Sequence, residues 1–255
     1  MAVIAILAAL AVVWEVVKLA FALSDTTLPH LWTIAAAFGE ESRRNGPPLG
    51  LFLIDAALFT FRGALLGFII GGLLGFALGT LFAHAPLLER SLVPFVVASQ
   101  TVPILAIAPM IVVWLQGSWL SVPVIAAYLT FFPVTINTLR GMRSPDPRAL
   151  ELMRSYASSP WQTLWTLRFP SALPAIFTAL KISATSSVVG AIIAELPAGV
   201  QQGLGGAILN FNQYYSTGPE RLWASIVMAA GVGILFFLIV SVAEKVALRN
   251  IVRAA

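Results

Sequence analysis

The sequence predicts an all-α polytopic membrane protein that crosses the bilayer six times. Three observations lead there. The chain of 255 residues is 59% hydrophobic and only 10% charged, with a mean hydropathy of +0.91, against roughly 25% charged residues in soluble domains. Its apolar residues gather into runs of about 20, the length at which a helix crosses a hydrocarbon core. Lysine and arginine concentrate in alternate connections, the bias that orients polytopic chains. That bias also accounts for the net charge of +4 and the pI near 9.9, so no nucleic-acid partner is expected. Residues 1–255 read as a single membrane domain.

The first run, Ala2–Leu23, carries Glu15 and Lys18 and lacks a clear small-residue cleavage site, which marks it as a retained signal anchor. Glu15 and Lys18 stand three apart, close enough to pair on one face and soften the insertion cost. The polar stretch 24–50 breaks at Gly46-Pro47-Pro48, and a short helix is expected around Pro29–Phe38 on the outer surface. The second span falls within Leu51–Ala83. There Gly63, Gly67, Gly71, Gly75 and Gly79 recur at every fourth position, a stripe that lets another backbone approach closely, either as static packing or as a sliding seam. Asp55 and Arg62 share a face near the outer boundary or meet a partner subunit.

The third span, Ser91–Gln116, is interrupted by Pro94, Pro103 and Pro109 and carries Ser99-Gln100-Thr101 midway. Proline frees backbone groups, which within a membrane must face protein or a water-filled cavity. Three adjacent polar side chains at such a break are expected beside a ligand path, with a packed kink as the alternative. The fourth span, Leu120–Leu139, holds Pro133 and Asn137, the latter capping or bridging helices. The fifth, Ser171–Leu196, holds Lys181, the small run Ser183–Ser187, and Glu195 near its outer end, where it would meet substrate or counter a cation. An outer loop, 197–220, precedes the sixth span, Leu222–Ala243, and a tail with Lys245, Arg249 and Arg253. Arg140, Arg143, Arg148, Arg154 and Arg168 flank the connection between spans four and five, whereas 24–50 and 197–220 hold only Arg43 and Arg44. Both termini and the 4–5 connection are therefore expected in the cytoplasm.

That connection, Ser144–Pro174, is the longest polar stretch between two strongly apolar ones. Asp146 can cap a helix beginning at Pro147, where a missing N–H costs nothing. Ala149, Leu152, Met153, Tyr156 and Ala157 then share one apolar face. Ser158-Ser159-Pro160 breaks this helix. Trp161, Leu164, Trp165 and Leu167 suggest a second short one that Pro170 ends. Two short amphipathic helices beside membrane spans would form a docking platform.

The segment resembles the cytoplasmic EAA loop of bacterial ABC importer permeases. In that pattern an E-A-A triplet is followed after three residues by glycine and after nine more by an I-x-L-P-like ending. Glu151-Leu152-Met153 occupies the triplet, Ala157 the glycine, and Leu167-Arg168-Phe169-Pro170 the ending. The departures are Leu152, Met153 and Ala157; the last matters because alanine tolerates positive φ poorly. SQTVPILAIAP before the loop and AELPAGVQQGLGGAI after it resemble the nitrate/sulfonate/taurine-type branch, which includes pyrimidine-precursor and riboflavin importers.

The resemblance implies a type I importer permease fold, with 145–169 as the coupling loop. Glu151, Leu152, Met153, Tyr156, Ala157 and Pro170 would serve ATPase coupling, and Ser99, Gln100, Thr101 and Glu195 the translocation path. It further implies a bacterial inner-membrane location, a second permease subunit, identical or similar, two ATP-binding subunits carrying ATP and Mg, and a periplasmic or lipid-anchored solute-binding protein. Transport would proceed by alternating access. The chain itself has no GxxxxGK[ST] pattern, so no ATPase activity and no bound cofactor are expected of it. No cysteine is present, and His30 and His84 are too few and too far apart for a metal centre. An ion-gradient-driven secondary transporter or channel is the alternative, suited to broken spans and to Asp55, Arg62, Lys181 and Glu195. A membrane enzyme lacks an evident catalytic set.

Overall fold

The computed structural model describes residues 2–42, 45–197 and 202–252; Arg43, Arg44, Arg253 and part of the AELPAGVQQGLGGAI segment lie outside them. The described elements are helices: α1 (Ala2–Ala20), α2 (Leu31–Ala37), α3 (Leu49–His84), α4 (Pro86–Ser99), α5 (Ile104–Trp114), α6 (Ser121–Met142), α7 (Pro147–Ser155), α8 (Pro160–Thr163), α9 (Phe169–Glu195), α10 (Leu204–Gln213) and α11 (Pro219–Val252). Proline opens α4, α7 and α8, because the first turn has no partner for its N–H in any case.

Among the described residues, four stretches are long and apolar enough to cross a membrane: α3, α6, the continuous Pro160–Glu195 rod and α11. The pair α4 and α5, bent by 91° between them, makes a fifth crossing if it is taken as one broken span rather than a re-entrant loop. The predicted third span is therefore two helices. Predicted span one coincides in position with α1, which is not among these crossings, and the expected surface helix with α2.

The 4–5 connection departs from its prediction at Pro170. Rather than ending a separate helix, Pro170 lies in the first turn of α9, and α8 runs into α9 through a π turn, Leu164–Arg168. In that turn Phe169 N bonds to Leu164 O, one residue further back than in an α-helix. The wider turn just ahead of Pro170 carries the chain through a residue that has no N–H. Leu164 is drawn into a buried cluster with Phe82, Leu139, Met142, Ala172 and Ile176, and that burial holds the rod in place.

α6 is the centre of the bundle, packed between α3 and α9. The glycine stripe of α3 faces it throughout. A Cβ on Gly71 would stand 2.4 Å from Ala127 O, on Gly75 2.6 Å from Phe131 O, and on Gly79 2.6 Å from Thr135 O. Without side chains, the α3 backbone lies directly on α6 carbonyls. On the opposite side Gly190 of α9 approaches Ala126, and Ser183 reaches Thr130 O at 3.3 Å. Ser183 and Ser187 are buried in this packing. Asn137 bonds back to Pro133 O at 2.8 Å within its own helix and bridges nothing.

Glu15 and Lys18 do not pair with each other. Lys18, buried, bonds to Asp25 and to Leu28 O, and this hydrogen bond holds the Asp25 carboxyl below the usual carboxylate range. Glu15 accepts from Leu31 N at 2.9 Å and meets His30 Nδ1 at 2.7 Å. The two charges thus fasten the following loop and the start of α2 to α1. Trp14 then packs edge-on against Trp223, joining α1 to α11. Lys181 pairs with Glu244 of α11 at 2.7 Å. Asp55 and Arg62 form no ion pair with each other; both line a cavity of about 350 Å³ with Gln202 and Gly203.

Candidate functional site

The candidate coupling surface begins at Asp146, whose carboxylate accepts from Arg148 N at 2.8 Å. Helix α7 follows and ends in two bonds that define its C-terminus: Ala157 N to Arg154 O at 2.9 Å and Ser158 N to Met153 O at 3.0 Å. These form a Schellman motif, which places its turning residue in the left-handed region. That residue is Ala157, with φ of 51°. Ser159 then opens α8 with a reciprocal cap: its hydroxyl accepts from Gln162 N, and its own N–H bonds Gln162 Oε1 at 2.8 Å.

No side chain of α7 is buried. Glu151, Leu152, Tyr156 and Ala157 are exposed, with Tyr156 at 75%, while Ala149 and Met153 are half-covered. The predicted apolar face is thus divided, part leaning toward the bundle and part directed outward. Trp161 and Trp165 extend the outward apolar surface and pack edge-on at 5.5 Å. Pro170, placed with these residues by the sequence, is half-buried at the base of α9. Two contacts anchor the loop's flanks: Arg143 to Glu89 on α4, and Arg168 Nη1 to Ala83 O at 3.4 Å. An exposed apolar helix of this length is marginal in water and needs a partner surface.

Ser99, Gln100 and Thr101 fall at the α4–α5 bend. The hydroxyls turn back on their own helix, Ser99 Oγ to Val96 O and Thr101 Oγ1 to Ala98 O, both at 2.7 Å. Tyr128 of α6 donates to Ser99 O. Gln100 Nε2 is buried with no hydrogen-bond partner among the described residues. The bend therefore presents one free amide donor, and the flanking hydroxyls satisfy backbone groups released by the break.

Glu195 shares no hydrogen bond with that bend. It is 1% exposed at the end of α9, and its Oε2 accepts from Thr60 Oγ1 at 2.9 Å and Gly205 N at 2.8 Å. Thr60 Oγ1 in turn accepts from Leu204 N at 2.9 Å. Leu204 and Gly205 are the first residues of α10, whose leading N–H groups have no partner inside the helix. Glu195 and Thr60 together cap it. Gly203, at φ 99°, and Gly205 leave the room: a Cβ on Gly203 would lie 2.5 Å from Glu195 Cδ. The sequence reading missed α10 and Thr60. A glutamate followed eight residues later by Gly-x-Gly was the available signal.

A family model described as the binding-protein-dependent transport system inner membrane component matches residues 63–250. Among curated relatives, the formylaminopyrimidine transport permease ThiX of Halalkalibacterium halodurans is 35% identical over 163 residues, 63% of each chain. The riboflavin transport system permease RibX of Chloroflexus aurantiacus is 33% identical over 192 residues, 75% of this chain and 70% of that one. The taurine transport system permease TauC of Escherichia coli is 28% identical over 219 residues, 83% and 76% of the two chains. Among solved structures, the inward-facing MetNI methionine ABC transporter superposes with a TM-score of 0.63 at 16% identity, covering 80% of this chain and 98% of that one.

Proposed function

Because this chain belongs to the family of binding-protein-dependent transport system inner membrane components, we propose that it carries a small organic solute or anion into the cytoplasm by alternating access, as the permease subunit of an ATP-driven importer. The observation that carries this reading is α7: a capped helix with no buried side chain and its apolar residues Leu152 and Tyr156 exposed. A permease subunit is not itself an enzyme. In this reading ATP and Mg sit on two ATP-binding partner subunits, a second permease completes the pathway, and a periplasmic or lipid-anchored binding protein delivers the solute. Residues 145–169 are the coupling loop within a single 1–255 domain. Nothing observed favours the ion-gradient-driven transporter or channel.

The arginines about the coupling loop support a cytoplasmic location for it and for both termini, in a bacterial inner membrane. The Ser99–Thr101 bend, with its free Gln100 amide, supplies a polar element of the path. Glu195 acts there through α10, whose capped position it sets. The substrates named for the relatives are a formylaminopyrimidine, riboflavin and taurine, which supports a small polar organic solute here. The deciding experiment is Ala157→Trp, measured by copurification with the ATP-binding subunit and by solute-stimulated hydrolysis. A bulky ring at this exposed turn should abolish both while leaving membrane insertion intact. Unchanged association and hydrolysis would remove α7 as the coupling element.

A further inference from the structure

Several cations of this molecule are matched to carboxylates: Lys18 with Asp25, Arg143 with Glu89, Lys181 with Glu244. Several others, Arg154 and Arg168 among them, are not. Among the described residues neither has a carboxylate within ion-pair distance, yet both line the same cavity of about 200 Å³. Three separate elements build it. His84 ends α3, Arg154 lies in the last turn of α7, and Arg168 closes the π turn. Ser158 and Thr163 add hydroxyls to the wall, and no acidic residue lines it. Thr163 Oγ1 bonds Ser159 O, and Arg168 makes one long contact to Ala83 O. Arg154 and Ser158 Oγ have no side-chain hydrogen bond within the described residues.

Arg154 is exposed and Arg168 half-buried, and two guanidinium groups around one small cavity repel each other. An oxyanion entering the cavity turns that repulsion into charge-assisted hydrogen bonds. The geometry points to a binding site for a phosphate-type oxyanion, from an anionic lipid headgroup or free in solution, held by Arg154 and Arg168 with Ser158 beside them. Arginine's planar fork suits such a group because it meets two oxygens at once. The location suits a headgroup because His84, in the cavity wall, ends the long apolar helix α3.

The test uses the full-length chain in nanodiscs of phosphatidylcholine, with and without phosphatidylglycerol, and titration with inorganic phosphate. One phosphatidylglycerol retained per chain in native mass spectrometry, and lost in Arg154→Gln, assigns a lipid headgroup. Saturable phosphate binding without lipid retention assigns a free oxyanion. Either supports the site, and Arg154→Gln should weaken binding about tenfold, the loss of one charge-assisted contact. Arg168→Gln should act likewise, but it also severs the tie to Ala83, so Arg154, with no bond to lose inside the protein, decides. No saturable binding of either probe, or equal binding by wild type and Arg154→Gln, overturns the proposal. So does loss of both ligands on adding the ATP-binding subunit, since an acidic side chain of the partner would then fill the cavity. Transport is not the readout, so failure here is separable from failure of the coupling assignment.

Discussion

Ala157 holds a backbone conformation that suits glycine better. At φ 51° its Cβ crowds the following carbonyl, a cost of roughly 1 kcal/mol. Ala157→Gly should relieve most of that, less the extra freedom glycine gains in the unfolded chain. The expected outcome is a slightly higher melting temperature and coupled hydrolysis at or above wild type; reduced hydrolysis would mean that the methyl group itself touches the partner. Glu195 offers a second residue-level prediction. One oxygen accepts both of its bonds, so glutamine keeps the cap, whereas Glu195→Ala leaves the Thr60 hydroxyl proton and the Gly205 N–H without an acceptor and should cost about 2 kcal/mol. Thermal unfolding of the two variants in detergent checks it: equal destabilisation would show that the charge, and not the acceptor, holds α10.

At the scale of elements, the glycines of α3 and α11 make opposite predictions. Gly71→Leu or Gly75→Leu drives a side chain into the Ala127 or Phe131 carbonyl and should prevent assembly, since the opposing atom is backbone and has no rotamer to yield. A Cβ on Gly231 meets nothing within 4 Å, so Gly231→Ala should be tolerated and strengthen the helix by roughly 1 kcal/mol. Expression level and gel-filtration profile separate the outcomes; monodisperse Gly71→Leu would place α6 elsewhere. The stripe was legible because its information is local, a period of four along one helix. So was the Asp146 cap, two residues from the N–H it serves. The α8–α9 junction was not. Pro170 reads as a terminator, and only the burial of Leu164 among residues of α3, α6 and α9 explains why the helix widens and continues. α10 was hidden for the same reason: its caps come from Thr60 and Glu195, themselves 135 residues apart. Glu15 and Lys18 misled because spacing allows a pair, while the partners they take lie beyond the helix end.

For the whole molecule, the arrangement of ends is testable because the chain has no cysteine. A cysteine placed at Ser158 should react with a membrane-impermeant thiol reagent only in inverted vesicles, and one at Ser216 only in intact spheroplasts. Labelling of Ser158→Cys from outside would reverse the orientation. The same experiment reads the α4–α5 bend: Gln100→Cys should be slow from either side and faster once the pathway opens.

The Pro160–Glu195 rod joins these scales. Its 36 residues would extend about 54 Å at the α-helical rise, from the tryptophans beside the coupling turn to the carboxylate that caps α10. Under the proposed coupling, such a body would act as a connecting rod, carrying a displacement at Trp161 toward Glu195. Its regular winding is interrupted at Pro174, inside α9, and at the Leu164–Arg168 turn. There the extra residue changes the angular phase of everything before it by about 100° relative to a plain α-helix. That phase sets the direction in which Trp161 and the turn before it face, so the aim of the exposed α7 surface relative to Glu195 is fixed by the winding of five residues.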